Sequence, residues 1–115
     1  METKVTCSHI LQKHVNSRNP VDSYRNKKIT RSESEALQNI EAIRAEIEKL
    51  GLETFPDFAA KYSECRSAAN GGSLGKFGRN EMQKAFEDVA FSLKVGEMSQ
   101  PVSTDSGIHI ILRTA

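Results

Sequence analysis

Tryptophan is absent from this 115-residue sequence, and aromatic residues of every kind make up only 6% of it. No apolar run approaches the roughly 18 residues needed to span a membrane, so no membrane association is expected. The opening Met1-Glu2-Thr3-Lys4-Val5 lacks the basic segment and apolar stretch of a secretory signal, and the expectation is an intracellular protein, cytoplasmic and/or nuclear. Cysteine occurs only at positions 7 and 65. In a reducing compartment Cys7 and Cys65 are read as free thiols rather than a disulfide. An excess of one charge is also missing, since the formal net charge is +1.

What is present suits one compact unit. With 37% hydrophobic and 27% charged residues, residues 1–115 are read as a single domain and a monomer. The near-neutral total hides an asymmetry: Lys13, Arg18, Arg25, Lys27, Lys28 and Arg31 are offset only by Asp22, whereas eight acids follow between Glu33 and Glu64. The basic stretch, with Asn19-Pro20 inside it, reads either as a solvated loop or as a loop that attracts an anion. Nucleic acid is not expected as the partner, because the stretch is short and Tyr24 is its one aromatic residue for base stacking.

Residues 4–12 alternate as a strand does, with Val5, Cys7, His9 and Leu11 on one face. Ser32 with Glu35 forms a capping-box signature ahead of Leu37, Ile40, Ile43, Ile47 and Leu50, and Gly51 is the stop. A second helix is expected to start near Pro56, bury Phe58, Ala59 and Tyr62, and end near Cys65. The four glycines between Arg66 and Asn80 argue for a loop with special backbone angles. Met82, Phe86, Val89, Ala90 and Leu93 predict a helix over about 81–93. Thr104-Asp105-Ser106-Gly107 reads as a turn before the apolar strand Ile108–Leu112, and the pattern as a whole predicts an α+β fold with a mostly antiparallel sheet.

Four blocks make the sequence recognisable: Cys7–Leu11, Gly72–Phe77, Met82–Asp88 and Thr104–Leu112. Together they resemble the rotamase domain of the Pin-type parvulins, peptidyl-prolyl cis-trans isomerases, over about residues 4–114. The resemblance implies a parvulin-like fold of the FKBP-like type, a four-stranded sheet surrounded by about four helices, with no cofactor and no metal. The family's paired histidines correspond to His9 and His109, its active-site cysteine to Cys65, and its proline pocket to Leu74, Met82 and Phe86. Gln83, Thr104 and Ser106 match further cleft positions. In the phospho-specific branch a basic loop grips phosphate, and Lys13 and Arg18 match its lysine and first arginine. Asn19 stands where a second arginine is usual, and Arg25 is the loop cation considered as its replacement. Many members carry an N-terminal WW domain, but without tryptophan none is expected here. The implied partners are phosphoproteins or peptides with Ser/Thr-Pro motifs.

The chemistry asks little of these side chains. The peptide rotation barrier is about 18–20 kcal/mol, and a ten-thousandfold acceleration requires only roughly 5.5 kcal/mol of preferential binding to the twisted amide. No bond breaks, so a nucleophile is unnecessary. Cys65 is read as an electrostatic or hydrogen-bonding group in preference to a covalent one, with a redox switch left open. His9 and His109 are read as a mutually bonded pair rather than proton-transfer catalysts, with Thr104 able to fix their tautomers. Cys7, His9, Cys65 and His109 have zinc-ligand chemistry but lack zinc-finger spacing. At the residue level Met82 and Phe86, four apart, suit core packing as well as a pocket. Two other functional readings stand beside the phospho-specific isomerase: a phosphopeptide-binding module with little catalysis, and a phosphate-indifferent folding helper.

Overall fold

The structure, a computed structural model, describes residues 4–115. Strand β1 (Lys4–Gln12) is followed by the two-residue strands β2 (Val21–Asp22) and β3 (Lys27–Lys28), which pair with each other. Helices α1 (Glu33–Leu50) and α2 (Phe55–Tyr62) come next, then β4 (Ser73–Gly78), α3 (Lys84–Ser92), β5 (Val102–Thr104) and β6 (Gly107–Arg113). Short 3-10 turns at Leu52–Thr54 and Arg66–Asn70 complete the helical content. The main sheet runs β4-β1-β6-β5, and every pairing in it is antiparallel.

Because β1 and β6 are the two central strands, both of their faces are covered and the sheet separates two cores. Ile10, Ile108, Ile110 and Leu112 face one core with Ala36, Ile40, Ile43 and Ile47 of α1 and Phe55 and Ala59 of α2. Val5, Cys7 and Ile111 face the other with Phe77, Phe86, Ala90 and Leu93. The period-2 alternation of a strand thus directs His9 and His109, which share the parity of Cys7 and Ile111, to the α3 side.

The capping box forms as its residues dictate: Ser32 Oγ accepts from Glu35 N–H at 3.1 Å, and Glu35 Oε1 accepts from Ser32 N–H at 2.9 Å. The helix stops at Gly51, with φ of 109°. Its buried stripe differs from the expected one at both ends. Leu37 and Leu50 are 39% and 53% exposed, and Ala36 takes the inner position.

Helix α2 begins at Phe55, which is fully buried, while Phe58 is half-buried and Tyr62 exposed. It ends at Tyr62 rather than near Cys65. The end of β1 draws the chain into extended pairing there: Glu64 N–H donates to Leu11 O at 2.8 Å, and Ser63 Oγ accepts from Leu11 N–H at 3.0 Å. The glycine-rich stretch expected as a loop contains strand β4, paired to β1 with a register shift between Cys7 and Ser8. Gly75, at φ of 73°, absorbs that bulge. At Gly72, with φ of 85°, a Cβ would run into His9 O and the Ala59 side chain, so this strand can approach His9 only through glycine. Helix α3 covers Lys84–Ser92, which leaves Met82 before the helix and ahead of its N-cap, Gln83. Met82 and Phe86 therefore do not share a helix face as their spacing suggests.

Candidate functional site

Strand β1 and the hairpin β5–β6 bring the histidines together. His9 Nδ1 and His109 Nδ1 are 3.0 Å apart, and both rings are buried. His9 Nε2 lies 3.2 Å from Ser67 Oγ, and His109 Nε2 lies 2.7 Å from Thr104 Oγ1. Thr104 Oγ1 also accepts from Ser106 N–H at 3.1 Å. One Nδ1 must donate and the other accept, so the chain from Ser67 to Thr104 is consistent in either direction with both imidazoles neutral. Burial favours that neutral state, lowering His9 to about 4 and His109 well below the usual imidazole range, with His9 a further contributor to the latter.

Phe86 stands edge-on to both rings, at 5.5 Å from His9 and 5.2 Å from His109. Leu74 and Met82 are partly exposed and pack against the same apolar cluster. Gln83 closes the side of this seat: its Nε2 donates to Ser106 Oγ at 2.9 Å, and its Oε1 accepts from Asp105 N–H at 3.1 Å.

A cavity of about 220 Å³ is lined by Lys13, Arg18, Asn19 and Ser23 of the basic stretch and by Leu11, Cys65 and Ser106. Ser106 is shared between this cavity and the Gln83 contact. The stretch is anchored to the hairpin tip, since Arg18 N–H donates to Asp105 O at 2.8 Å. Lys13 Nζ donates to Val21 O at 2.6 Å and Ser23 Oγ at 3.0 Å, leaving one of its three protons uncommitted. Burial lowers the Lys13 pKa, and Arg18 adds to the effect, against the opposing influence of Cys65, Glu64 and Asp22. Among the described residues neither Lys13 nor the Arg18 guanidinium forms an ion pair. A buried cation with no acid partner favours an incoming anion.

Arg25 does not line this cavity. Its guanidinium donates to Asp22 at 3.0 Å and to the carbonyls of Ser63, Ala60 and Lys61 at 2.9, 2.8 and 2.6 Å. These bonds brace the basic stretch against the end of α2 and hold the Arg25 guanidinium away from the cavity lined by Lys13 and Arg18. Asn19 does line the cavity, as a neutral side chain.

Cys65 is a free, partly exposed thiol, and Cys7 is a buried one. Both Nδ1 atoms of the histidine pair are committed to each other, and among the described residues no three His, Cys, Asp or Glu side chains gather into a metal-ligand cluster. Ser67 and Ser23 escaped the sequence reading. Neither belongs to a motif, and each is recognisable only from its contact with His9 or Lys13. Glu64 was missed as well: it pairs with Arg31 at 2.6 Å and accepts from Lys13 N–H at 2.8 Å, holding the chain beside Cys65.

Comparison with known proteins bears on what this site does. The rotamase family described as the PPIC-type PPIase domain matches residues 9–115. The peptidyl-prolyl cis-trans isomerase pin1 of Rhizopus delemar is 51% identical over 97% of this chain and 73% of its own length. The peptidyl-prolyl cis-trans isomerase Pin1 of Malus domestica is 50% identical over 96% of this chain and 93% of its own length. Against the isomerase pin1 of Schizosaccharomyces pombe, 50% identical, the chain spans 63% of the relative. Among solved structures, that of TbPIN1 superposes with a TM-score of 0.87 at 40% identity, covering 100% of both chains.

Proposed function

Since this chain belongs to the PPIC-type parvulin family of peptidyl-prolyl cis-trans isomerases, we propose that it turns the peptide bond between phosphoserine or phosphothreonine and proline by a non-covalent mechanism. The observation that carries this reading is the shared wall of the two half-sites. Lys13 and Arg18, without acid partners, line a cavity with Cys65 and Ser106, and Ser106 is bonded to Gln83 beside the apolar seat around Phe86.

Phosphate in the cavity accepts hydrogen bonds from the uncommitted Lys13 N–H and from the Arg18 guanidinium. Charge-assisted bonds contribute about 1.5–3 kcal/mol each, so two favour a phosphorylated substrate by roughly a hundredfold to ten-thousandfold. Leu74, Met82 and Phe86 hold the pyrrolidine ring, and the amide between the anchored groups rotates over Cys65 and the histidine pair. A nucleophilic role for Cys65 is not favoured, because no imidazole is hydrogen-bonded to its thiol among the described residues. The neutral pair instead offers fixed dipoles that need not change protonation as the amide twists. Free thiols at Cys7 and Cys65 suit a reducing compartment, cytoplasm or nucleus, and among the described residues no helix is long and apolar enough to cross a membrane.

Exchange NMR on a serine-proline peptide, phosphorylated and unmodified, tests the reading. Faster exchange of the phosphorylated peptide is expected. Equal rates for both would leave an isomerase indifferent to phosphate, and shifted resonances without faster exchange would leave a binding module.

A further inference from the structure

Behind the wall of the phosphate cavity lies a second basic cavity. Ser23 and Cys65 line the first, and the residues immediately before them, Asp22 and Glu64, line the second. Ser23 N–H donates to Glu64 O at 3.2 Å, so these two segments form one partition between the cavities. The second cavity, of about 280 Å³, carries five cations: Arg25, Lys27, Lys28, Arg31 and Lys61. Asp22 engages Arg25 at 3.0 Å and Glu64 engages Arg31 at 2.6 Å. Lys27, Lys28 and Lys61 are left exposed, with no side-chain hydrogen bond or ion pair among the described residues.

The frame beneath these lysines is braced rather than loose. Arg25 donates to three carbonyls at the end of α2, including that of Lys61, and so ties the β2–β3 ribbon to the helix. Cations lining one cavity repel one another, and an anion between them relieves that repulsion. A phosphomonoester, with charge near −2 and three acceptor oxygens, matches three unpaired lysines better than one carboxylate does. Nucleic acid fits less well: among the described residues Tyr62 is the one aromatic side chain lining the cavity, and its ring already stacks with Phe58 at 6.2 Å.

We propose that this cavity is a second anion site, taking a further phosphorylated side chain of the polypeptide whose phospho-proline bond occupies the first site. The protein then favours multiply phosphorylated segments. The inference rests on the phosphate reading of the Lys13–Arg18 cavity. A single polypeptide reaches both cavities because the partition is shared, and an extended chain gains about 3.3–3.6 Å per residue.

The test compares a peptide bearing one phosphoserine before proline with peptides bearing a second phosphoserine two to six residues away on either side. Exposed charge pairs are individually weak, so a gain of about five- to tenfold in affinity is expected for the best doubly phosphorylated peptide. The Lys27→Glu/Lys61→Glu variant should lose that gain while binding and turning over the singly phosphorylated peptide as before. A control with the same change in net charge, Lys49→Glu/Lys94→Glu, should keep it. No gain at any spacing, a gain that survives Lys27→Glu/Lys61→Glu, or one lost equally in the control overturns the inference. These outcomes leave the first site's reading intact, because that reading is judged on the singly phosphorylated peptide against the unmodified one. If that reading fails instead, NMR shifts of the Lys27, Lys28 and Lys61 amides still report on the second cavity, and their absence with the doubly phosphorylated peptide overturns the inference independently. Stronger shifts from a single-stranded oligonucleotide than from the peptide would also overturn it.

Discussion

His9 and His109, a hundred residues apart in the chain, meet through their Nδ1 atoms at 3.0 Å, and each spends its second nitrogen on a hydroxyl, of Ser67 and Thr104 respectively. Among the described residues neither imidazole has a carboxylate partner to stabilise a charge. The pair is an uncharged polar bridge between two adjacent strands, placed directly against Phe86.

That bridge makes stability depend on pH. His9 is held at about 4, below its ordinary 6.5. Between these values the unfolded chain binds the proton and the folded one does not, so stability is full above about pH 6.5 and falls as the pH drops toward 4. A tenfold weakening of proton affinity corresponds to about 1.4 kcal/mol, so His9 alone accounts for roughly 3 kcal/mol over that window. Urea midpoints measured from pH 7.5 to 4.5 should decline accordingly, before the carboxylates of Asp22 and Glu87, held below their ordinary values, begin to protonate. A flat profile down to pH 5 would mean that the imidazoles are not buried as described.

On the proposed phosphate reading, removing Lys13 or Arg18 should cost selectivity rather than turnover in general. Lys13→Ala and Arg18→Ala are each expected to lower kcat/KM about ten- to hundredfold on a phosphoserine-proline peptide, and to change the unmodified peptide by less than about threefold. Line-shape analysis on both peptides reads the ratio. Equal losses on the two would indicate that these side chains support the fold, not the phosphate.

Cys65 separates two mechanisms. With no base bonded to its thiol among the described residues, Cys65→Ser should retain activity within about tenfold, whereas loss of an obligatory nucleophile costs several orders of magnitude. Single-turnover exchange rates for Cys65→Ser and Cys65→Ala decide between them.

Glu64 lines the second cavity and is bonded to the backbone of Lys13, which lines the first. It is 7% exposed, pairs with Arg31 and accepts from Lys13 N–H. Glu64→Ala leaves the Arg31 guanidinium with only the Lys13 carbonyl as partner among the described residues and a buried N–H unpaired, and is expected to cost about 3–5 kcal/mol. Equilibrium urea denaturation measures this, and the double variant Arg31→Met/Glu64→Leu should recover part of the loss.

Much of the fold was legible because local rules and tertiary structure agree. Ser32 and Glu35 cap α1 as any such pair does at a helix start, and Gly51 stops it. The run from Ile108 to Leu112 is apolar apart from His109 because β6 lies between β1 and β5. Glycine misled the reading of 66–80, where it permits a bulged strand to pass close to His9 instead of preventing a strand. Periodicity misled it at Met82, which keeps the spacing of α3 without belonging to the helix.

The residue types of the site were recognisable in the chain, but their obligations to one another were not. The four sequence blocks contain the histidines and the apolar seat, while Cys65, Lys13 and Arg18 lie outside them and were placed by the wider resemblance. That Arg25 is spent on α2 carbonyls while Arg18 stays free, and that Ser67 completes the histidine chain, depends on which atoms folding brings within about 3 Å. Hydrogen bonds reach only that far, so two arginines alike in sequence end with different surroundings in the folded protein, one pinned to carbonyls and one lining a cavity.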